Sequence, residues 1–157
     1  MNTQHHYNAR ITWMGNLGNG TSGYKEYARS HSISAENKPT IYASADPSFM
    51  GDANKYNPEE LFLASLSSCH MLWYLHLCSD NGIIVTAYND NATGTMEENI
   101  IGGKFIEVAL HPQVTVADGT MMDKAIELHQ LANRKCFIAN SCNFPVRHVA
   151  VVKIHDS

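Results

Sequence analysis

The chain has 157 residues, 44% of them hydrophobic and 17% charged, with a net charge of -4 spread over interspersed acidic and basic positions. That length suffices for one ordinary domain with its own core and no disulfide staples. No run of Lys and Arg is present to neutralise a line of phosphates, which excludes a nucleic-acid surface. Residues Met1 to Arg10 hold no apolar stretch preceded by positive charge, so no secretory signal is expected and the chain is read as cytoplasmic. Four cysteines in a reducing compartment are then thiols at rest.

Segments 7–14, 24–33 and 40–44 alternate polar and apolar side chains between Gly- and Asn-rich turns, which predicts a three-stranded meander within 1–45. The segment 46–56 is polar and carries Pro47 and Gly51. Asn57-Pro58-Glu59-Glu60 then predicts a helix start. Asn57 is the N-cap, Pro58 takes the first helical position where no N–H partner is needed, and Glu60 stands at the capping-box position. The helix is expected over 57–80, with Asn81-Gly82 as its stop. Its 18 residues from 61 to 78 are apolar on nearly every face, but Ser65, Ser67, Ser68, His70 and His76 are scattered through them and no second such stretch follows, so no membrane partner is expected. A helix apolar all round must be buried on every side, which in so short a chain predicts wrapping by a sheet and a second subunit, hence a homodimer.

Strands are expected at 83–88, 92–96, 105–110 and 114–116, with Gly102-Gly103 as a turn. A second helix is predicted over 120–135, with Thr120 as N-cap, Asp123 at N3, and an apolar stripe of Met121, Met122, Ala125, Ile126, Leu128 and Ala132. A central strand over 148–155 closes the chain. The order βββ-α-ββ-α-β makes a single α+β domain over 1–157, without the βαβ alternation of a parallel sheet. No Gly-rich phosphate loop or repeat is present, and no cofactor is expected. Among nine histidines, His70 and His76 fall on opposite sides of the first helix, and His129 and His148 have no ligand at short spacing, so no metal site is predicted either.

Two cysteines sit in unlike settings, Cys69 deep in the apolar helix and Cys136 just past the second helix, in neither a CxxC clamp nor a paired-cysteine metal knuckle. If the fold brings them together, one can act as a nucleophile and the other as its resolving partner. Cys78 and Cys142 are read as packing residues, since free cysteine behaves as a small hydrophobe.

Asn57-Pro-Glu-Glu-Leu61, eight further positions to Cys69, and Cys-Phe-Ile-Ala-Asn-Ser over 136–141 resemble the OsmC/Ohr family of thiol peroxidases, with a match in element order along nearly the whole chain. The resemblance implies an intertwined dimer around central helices and reduction of organic or inorganic hydroperoxides by two cysteines. By position it implies Cys69 as the peroxidatic cysteine, Cys136 as the resolving cysteine, and Glu59 as the carboxylate that orients an arginine from the N-terminal sheet. Strand alternation favours Arg29, which would share a face with Tyr27, His31 and Ile33, over the other candidate, Arg10. The sequence departs from Ohr-type sites in carrying Phe137 where they have proline, and in the extra Cys142.

A thiol at its ordinary pKa is only about 3 per cent thiolate at neutral pH, and burial in an apolar run disfavours the thiolate further, so a nearby arginine is the economical activator. Attack on the O–O bond would give a sulfenic acid at Cys69, and Cys136 would condense with it to a disulfide that an external dithiol (a lipoyl protein, thioredoxin) or a small thiol must reduce. Glu59 and Cys69 are ten residues apart, about 15 Å along one helix. If both serve one site, Glu59 must reach the Cys69 of the other subunit. The reading from a different class is a non-catalytic dimeric binding or redox-sensing protein on the same fold.

Overall fold

The computed structural model describes residues 3–154. The chain divides into two compact units, 1–61 and 62–157.

In the N-terminal unit β1 (Arg10–Trp13), β2 (His31–Ser34) and β3 (Ile41–Ala43) pair antiparallel in that order, the meander expected from the alternation. The second strand is much shorter than 24–33. The chain ahead of it still runs antiparallel beside 14–16, though irregularly: Met14 N–H donates to the Ser30 carbonyl at 2.8 Å, Ala28 N–H to the Gly15 carbonyl at 2.9 Å, Asn16 bridges Tyr27, and Trp13 Nε1 donates to the Ala28 carbonyl at 2.9 Å. Gly15 is required here, because a Cβ would overlap the Ala28 carbonyl oxygen. After β3, Ser44 N–H bonds the Tyr56 carbonyl at 2.9 Å and Lys55 pairs with Asp52 at 3.2 Å, which lays the approach to the helix alongside β3.

Helix α1 runs unbroken over Pro58–Asp80. Its start is the reciprocal box predicted from four residues: Glu60 N–H donates to Asn57 Oδ1 at 2.8 Å, and Asn57 N–H donates to Glu60 Oε2 at 3.1 Å. It stops where Gly82 takes φ 69 and the Ile83 N–H closes onto the Cys78 carbonyl at 2.9 Å.

The C-terminal unit adds β4 (Val85–Asp90), β5 (Thr93–Asn99), β6 (Gly102–Leu110), β7 (Pro112–Val116), α2 (Met122–Lys135), β8 (Val146–His148) and β9 (Val151–Ile154). Four strands therefore separate the helices, at the four segments expected from the sequence, and two follow, where the order βββ-α-ββ-α-β counted two and one. They form two mixed sheets, β4-β7-β9 and β5-β6-β8, each an antiparallel pair extended by a parallel third strand. The closing strand is split, and its main part β9 is an edge strand, not a central one. The central place belongs to β7, whose Pro112, Val114 and Val116 are all buried, whereas β9 buries Val152 alone. His155, the last position of the expected strand, lies outside the described residues. The start of α2 also differs. Thr120 is not its N-cap: it lies in a short 3₁₀ turn, Gly119–Met121, capped by Asp118, whose Oδ1 takes both the N–H and the hydroxyl of Thr120 at 2.8 Å, and α2 follows at Met122 without a side-chain cap of its own.

One core joins Tyr74, Leu77, Cys78 and Ile83 to Val114, Val116, Ala125, Leu128, Ala132 and Val152. A second gathers Leu66, Val108 and Leu110, with Phe62, Phe105 and Phe144 packed around them. Each fully buried large apolar side chain contributes about 1.5–3 kcal/mol. By length and composition alone α1 could cross a membrane, but Leu66, His70, Tyr74, Leu77 and Cys78 form a stripe buried in the protein's own cores. The remaining faces are not all covered by this chain: Ala64 and Ser68 are exposed, and Leu72 is 63% exposed.

Candidate active site

Two of the four expected site residues meet in the C-terminal unit. Cys69 is half-buried on α1, and Cys136 caps the end of α2, 1% exposed, its N–H closing onto the Asn133 carbonyl at 3.3 Å. The juxtaposition has identifiable causes. Trp73, one turn beyond Cys69, packs edge-on against Phe137 with centroids 5.5 Å apart, and Lys135 lies over the same indole at 5.1 Å, so both neighbours of Cys136 are pinned to α1. On the opposite flank of Cys69, the Ser67 hydroxyl donates to Asp90 at 2.5 Å, and the other oxygen of Asp90 takes the His111 N–H at 2.6 Å. These bonds tie that turn of α1 to β4 and to the β6–β7 junction.

The thiol of Cys136 stands against that of Cys69, and both are free. Burial first, and the neighbouring thiol second, push Cys136 well above the ordinary thiol range, and the N–H of Ala139, 3.4 Å from its Sγ, offsets this only in part. Cys136 is therefore a neutral thiol at pH 7. Of the two thiols, Cys69 is the partly accessible one and Cys136 the buried one. Cys78 is buried in the first core, and Cys142 packs at the edge of the second while its thiol donates to the Ile138 carbonyl at 3.2 Å.

Glu59 and Arg29 belong to the N-terminal unit. Glu59 lies in the first turn of α1, and its Oε2 is buried without a hydrogen-bond partner among the described residues. Arg29 precedes β2, so the alternation argument for its direction does not apply. Its guanidinium lies over the rings of Tyr24 and Tyr27, at 4.3 and 4.1 Å, and donates to the carbonyls of both residues. Arg10 is exposed on β1, opposite Ser34.

The sequence reading missed a cluster of histidines. His70, His129 and His148 come from α1, α2 and β8, with His70 Nε2 3.1 Å from His129 Nδ1, and Tyr74 stacks on His129 at 3.8 Å. One local signal was available: His70 follows Leu66 and precedes Tyr74 at four-residue spacing, on the buried stripe of α1. The pairing with His129, 59 residues away, had none.

An α+β fold with two helices and a facing thiol pair is the setting for comparison with known proteins. The family model described as OsmC-like protein matches residues 51–149, and the chain belongs to this family. It is similar to the structure of an OsmC-like protein of unknown function from Vibrio cholerae, with 30% identity, a TM-score of 0.85, and coverage of 94% of this chain and 100% of that one. Two more distant structures share the fold. One is an organic hydroperoxide resistance protein from Elizabethkingia anophelis, with 18% identity, a TM-score of 0.69 and full coverage of both chains (100% and 100%). The other is an organic hydroperoxide resistance protein OsmC from Legionella pneumophila, with 17% identity, a TM-score of 0.65 and 96% and 98% coverage. No curated protein matches the sequence.

Proposed function

We propose that the protein is a cytoplasmic cysteine peroxidase that reduces hydroperoxides with the Cys69–Cys136 pair in oxidative-stress defence. The observation that carries this is the buried thiol of Cys136 set against the more accessible thiol of Cys69. The hydroperoxide resistance described for two proteins of the same fold supports it. The Cys69 thiolate attacks one oxygen of ROOH; the O–O bond breaks, ROH leaves with a proton, and Cys69 becomes a sulfenic acid. The thiol of Cys136 then displaces water to give the disulfide, and an external dithiol returns both cysteines to thiols with two electrons and two protons. The apolar surroundings of Cys69 favour a peroxide with a carbon tail.

Arg29 is the proposed activator. A guanidinium has five N–H donors, and two carbonyl bonds leave others to meet a thiolate and a carboxylate. We assign the orienting carboxylate to Glu59, acting on Cys69 of a second subunit, since one straight helix holds the two residues about 15 Å apart. The exposed Ala64, Ser68 and Leu72 of α1 supply a surface for that second copy. Mixing inactive Glu59→Ala and Cys69→Ser homodimers should restore activity, because one site of each heterodimer regains both groups; no recovery after confirmed subunit exchange would reject action across the dimer.

Turnover of cumene hydroperoxide with dithiothreitol tests the function. Wild-type protein consumes the peroxide, Cys69→Ser does not, and Cys136→Ser accumulates a sulfenic acid that dimedone traps at Cys69. A redox sensor is the second reading, favoured by the engagement of Arg29 with Tyr24 and Tyr27. Oxidation of Cys69 without catalytic consumption of peroxide would decide for it.

A further inference from the structure

We propose that His70, His129 and His148 form an acid-sensitive latch that holds α1 and α2 in the register where Cys69 meets Cys136. The inference concerns regulation of the same thiol pair, and takes its biological meaning from the peroxidase reading.

The geometry is specific. The rings of His70 and His129 are 8° from parallel with centroids 5.4 Å apart, and the nitrogens between them are 3.1 Å apart. The two nitrogens then lie on the line joining the centroids, so the rings meet edge to edge in one plane. This is an in-line N–H···N bond, in which one imidazole donates and the other accepts, and no ion fits between them. Two neutral rings satisfy it in complementary tautomers, and a pair carrying one extra proton still does. A pair carrying two sets N–H against N–H and must separate. His148 brings a third ring 5.5 Å from His70 and 6.2 Å from His129, so further protons would place like charges side by side in the core.

The surroundings offer little to hold such charge. His70 is 0% exposed and His129 1%. They are faced from α1 by Tyr74, from β4 by Asp90 and from β8 by His148; Cys78 and Tyr88 stand behind them against Tyr74, and the adjoining core takes only Val114, Val116 and Val152 from β7 and β9. Asp90 is the one anion among these groups, and its oxygens already serve Ser67 and His111. Burial, with the neighbouring imidazoles second, lowers His70 to about 4 and His129 to about 3, and burial lowers His148 as well.

The connection to the thiols is direct. Cys69 immediately precedes His70, and Cys136 lies seven residues beyond His129 at the end of the same helix. At pH 7 the cluster is neutral and the helices are joined. The unfolded or opened chain binds these protons near pH 6.5 and the closed one does not. Closure is therefore fully favoured above that pH and weakens as pH falls towards 4, about tenfold per pH unit for each histidine and about a hundredfold for the pair.

The test is the equilibrium of the full-length protein with oxidised and reduced glutathione from pH 8 to 4.5. Glutathione disulfide accepts two electrons from the protein dithiol, forming the Cys69–Cys136 bond and two glutathione thiols, and mass spectrometry of mapped peptides reads the product. The wild-type equilibrium constant is expected to fall at least tenfold between pH 7 and pH 5, and that of His70→Phe/His129→Phe to stay flat. An equal response in both proteins, or none in the wild type, overturns the latch. Should the double variant not fold, proton NMR of the wild-type histidines decides: resonances of His70 and His129 that hold still until the helices open support it, and titration near pH 6.5 in the closed protein overturns it. No hydroperoxide is involved, so the latch and the peroxidase reading can fail separately.

Discussion

Closing the Cys69–Cys136 bond should stabilise the protein by an amount its topology sets. The bond would join the middle of α1 to the end of α2 across a loop of about 67 residues, and the chain-entropy relation then removes about 15 cal/mol/K from the unfolded ensemble, or about 4 kcal/mol at 25 °C. The thiols already stand against each other in the reduced protein, with Trp73 and Phe137 holding the segments that carry them, so little distortion should offset that gain. The assay is equilibrium urea unfolding of the reduced protein and of the diamide-oxidised protein, the latter with its disulfide mapped and no reductant present. With a urea slope of about 2 kcal/mol/M, the midpoint should rise by about 2 M on oxidation. A confirmed Cys69–Cys136 bond that leaves the midpoint unchanged or lowers it would refute the reasoning, since the bond would then form only by pulling the helices out of their native places.

Further expectations follow from individual contacts. Asn57→Ala removes the acceptor of the Glu60 N–H and one half of the capping box, and should cost about 1 kcal/mol in thermal or urea unfolding. Leu66→Ala opens a hole beside Val108 and Leu110 at a site with no exposure, and should cost about 2–5 kcal/mol by the same measurement. Iodoacetamide at pH 8 should label Cys69 well before Cys136 in the folded reduced protein, because Cys136 is both buried and held protonated; peptide mapping after timed quenching shows the order. The raised Cys136 pKa also fixes a sign: the unfolded chain loses this proton near its ordinary pKa while the folded chain keeps it. Its contribution to stability is therefore full below about pH 9 and is lost as pH rises towards the folded value. The alkaline limb of the stability curve should be shallower in Cys136→Ser.

Much of the local structure was legible because its causes are local. The Asn57–Glu60 box, the Gly82 stop, the β1–β3 meander and the body of α2 follow from side chains one to four positions apart, and the structure reproduces each. Local patterns misled where a nearby competitor was stronger. Ahead of α2 the carboxylate of Asp118 takes both donors of Thr120 and caps a 3₁₀ turn there, so Thr120 is not the helix cap.

Which cysteines to watch was readable from the spacing of the Asn57 motif, Cys69 and Cys136, and the α+β class from the order of the periodicities along the chain. Long-range packing set the rest: Cys136 is the buried neighbour of Cys69, Arg29 rests between two tyrosines ahead of its strand, β7 and not β9 is central, and three histidines from three elements share one core site. The physical reason is range. Capping, turns and periodicity are settled within a few residues, whereas the burial of a thiol or an imidazole depends on segments about 60 residues away, whose approach is fixed by packing that no single stretch of sequence displays.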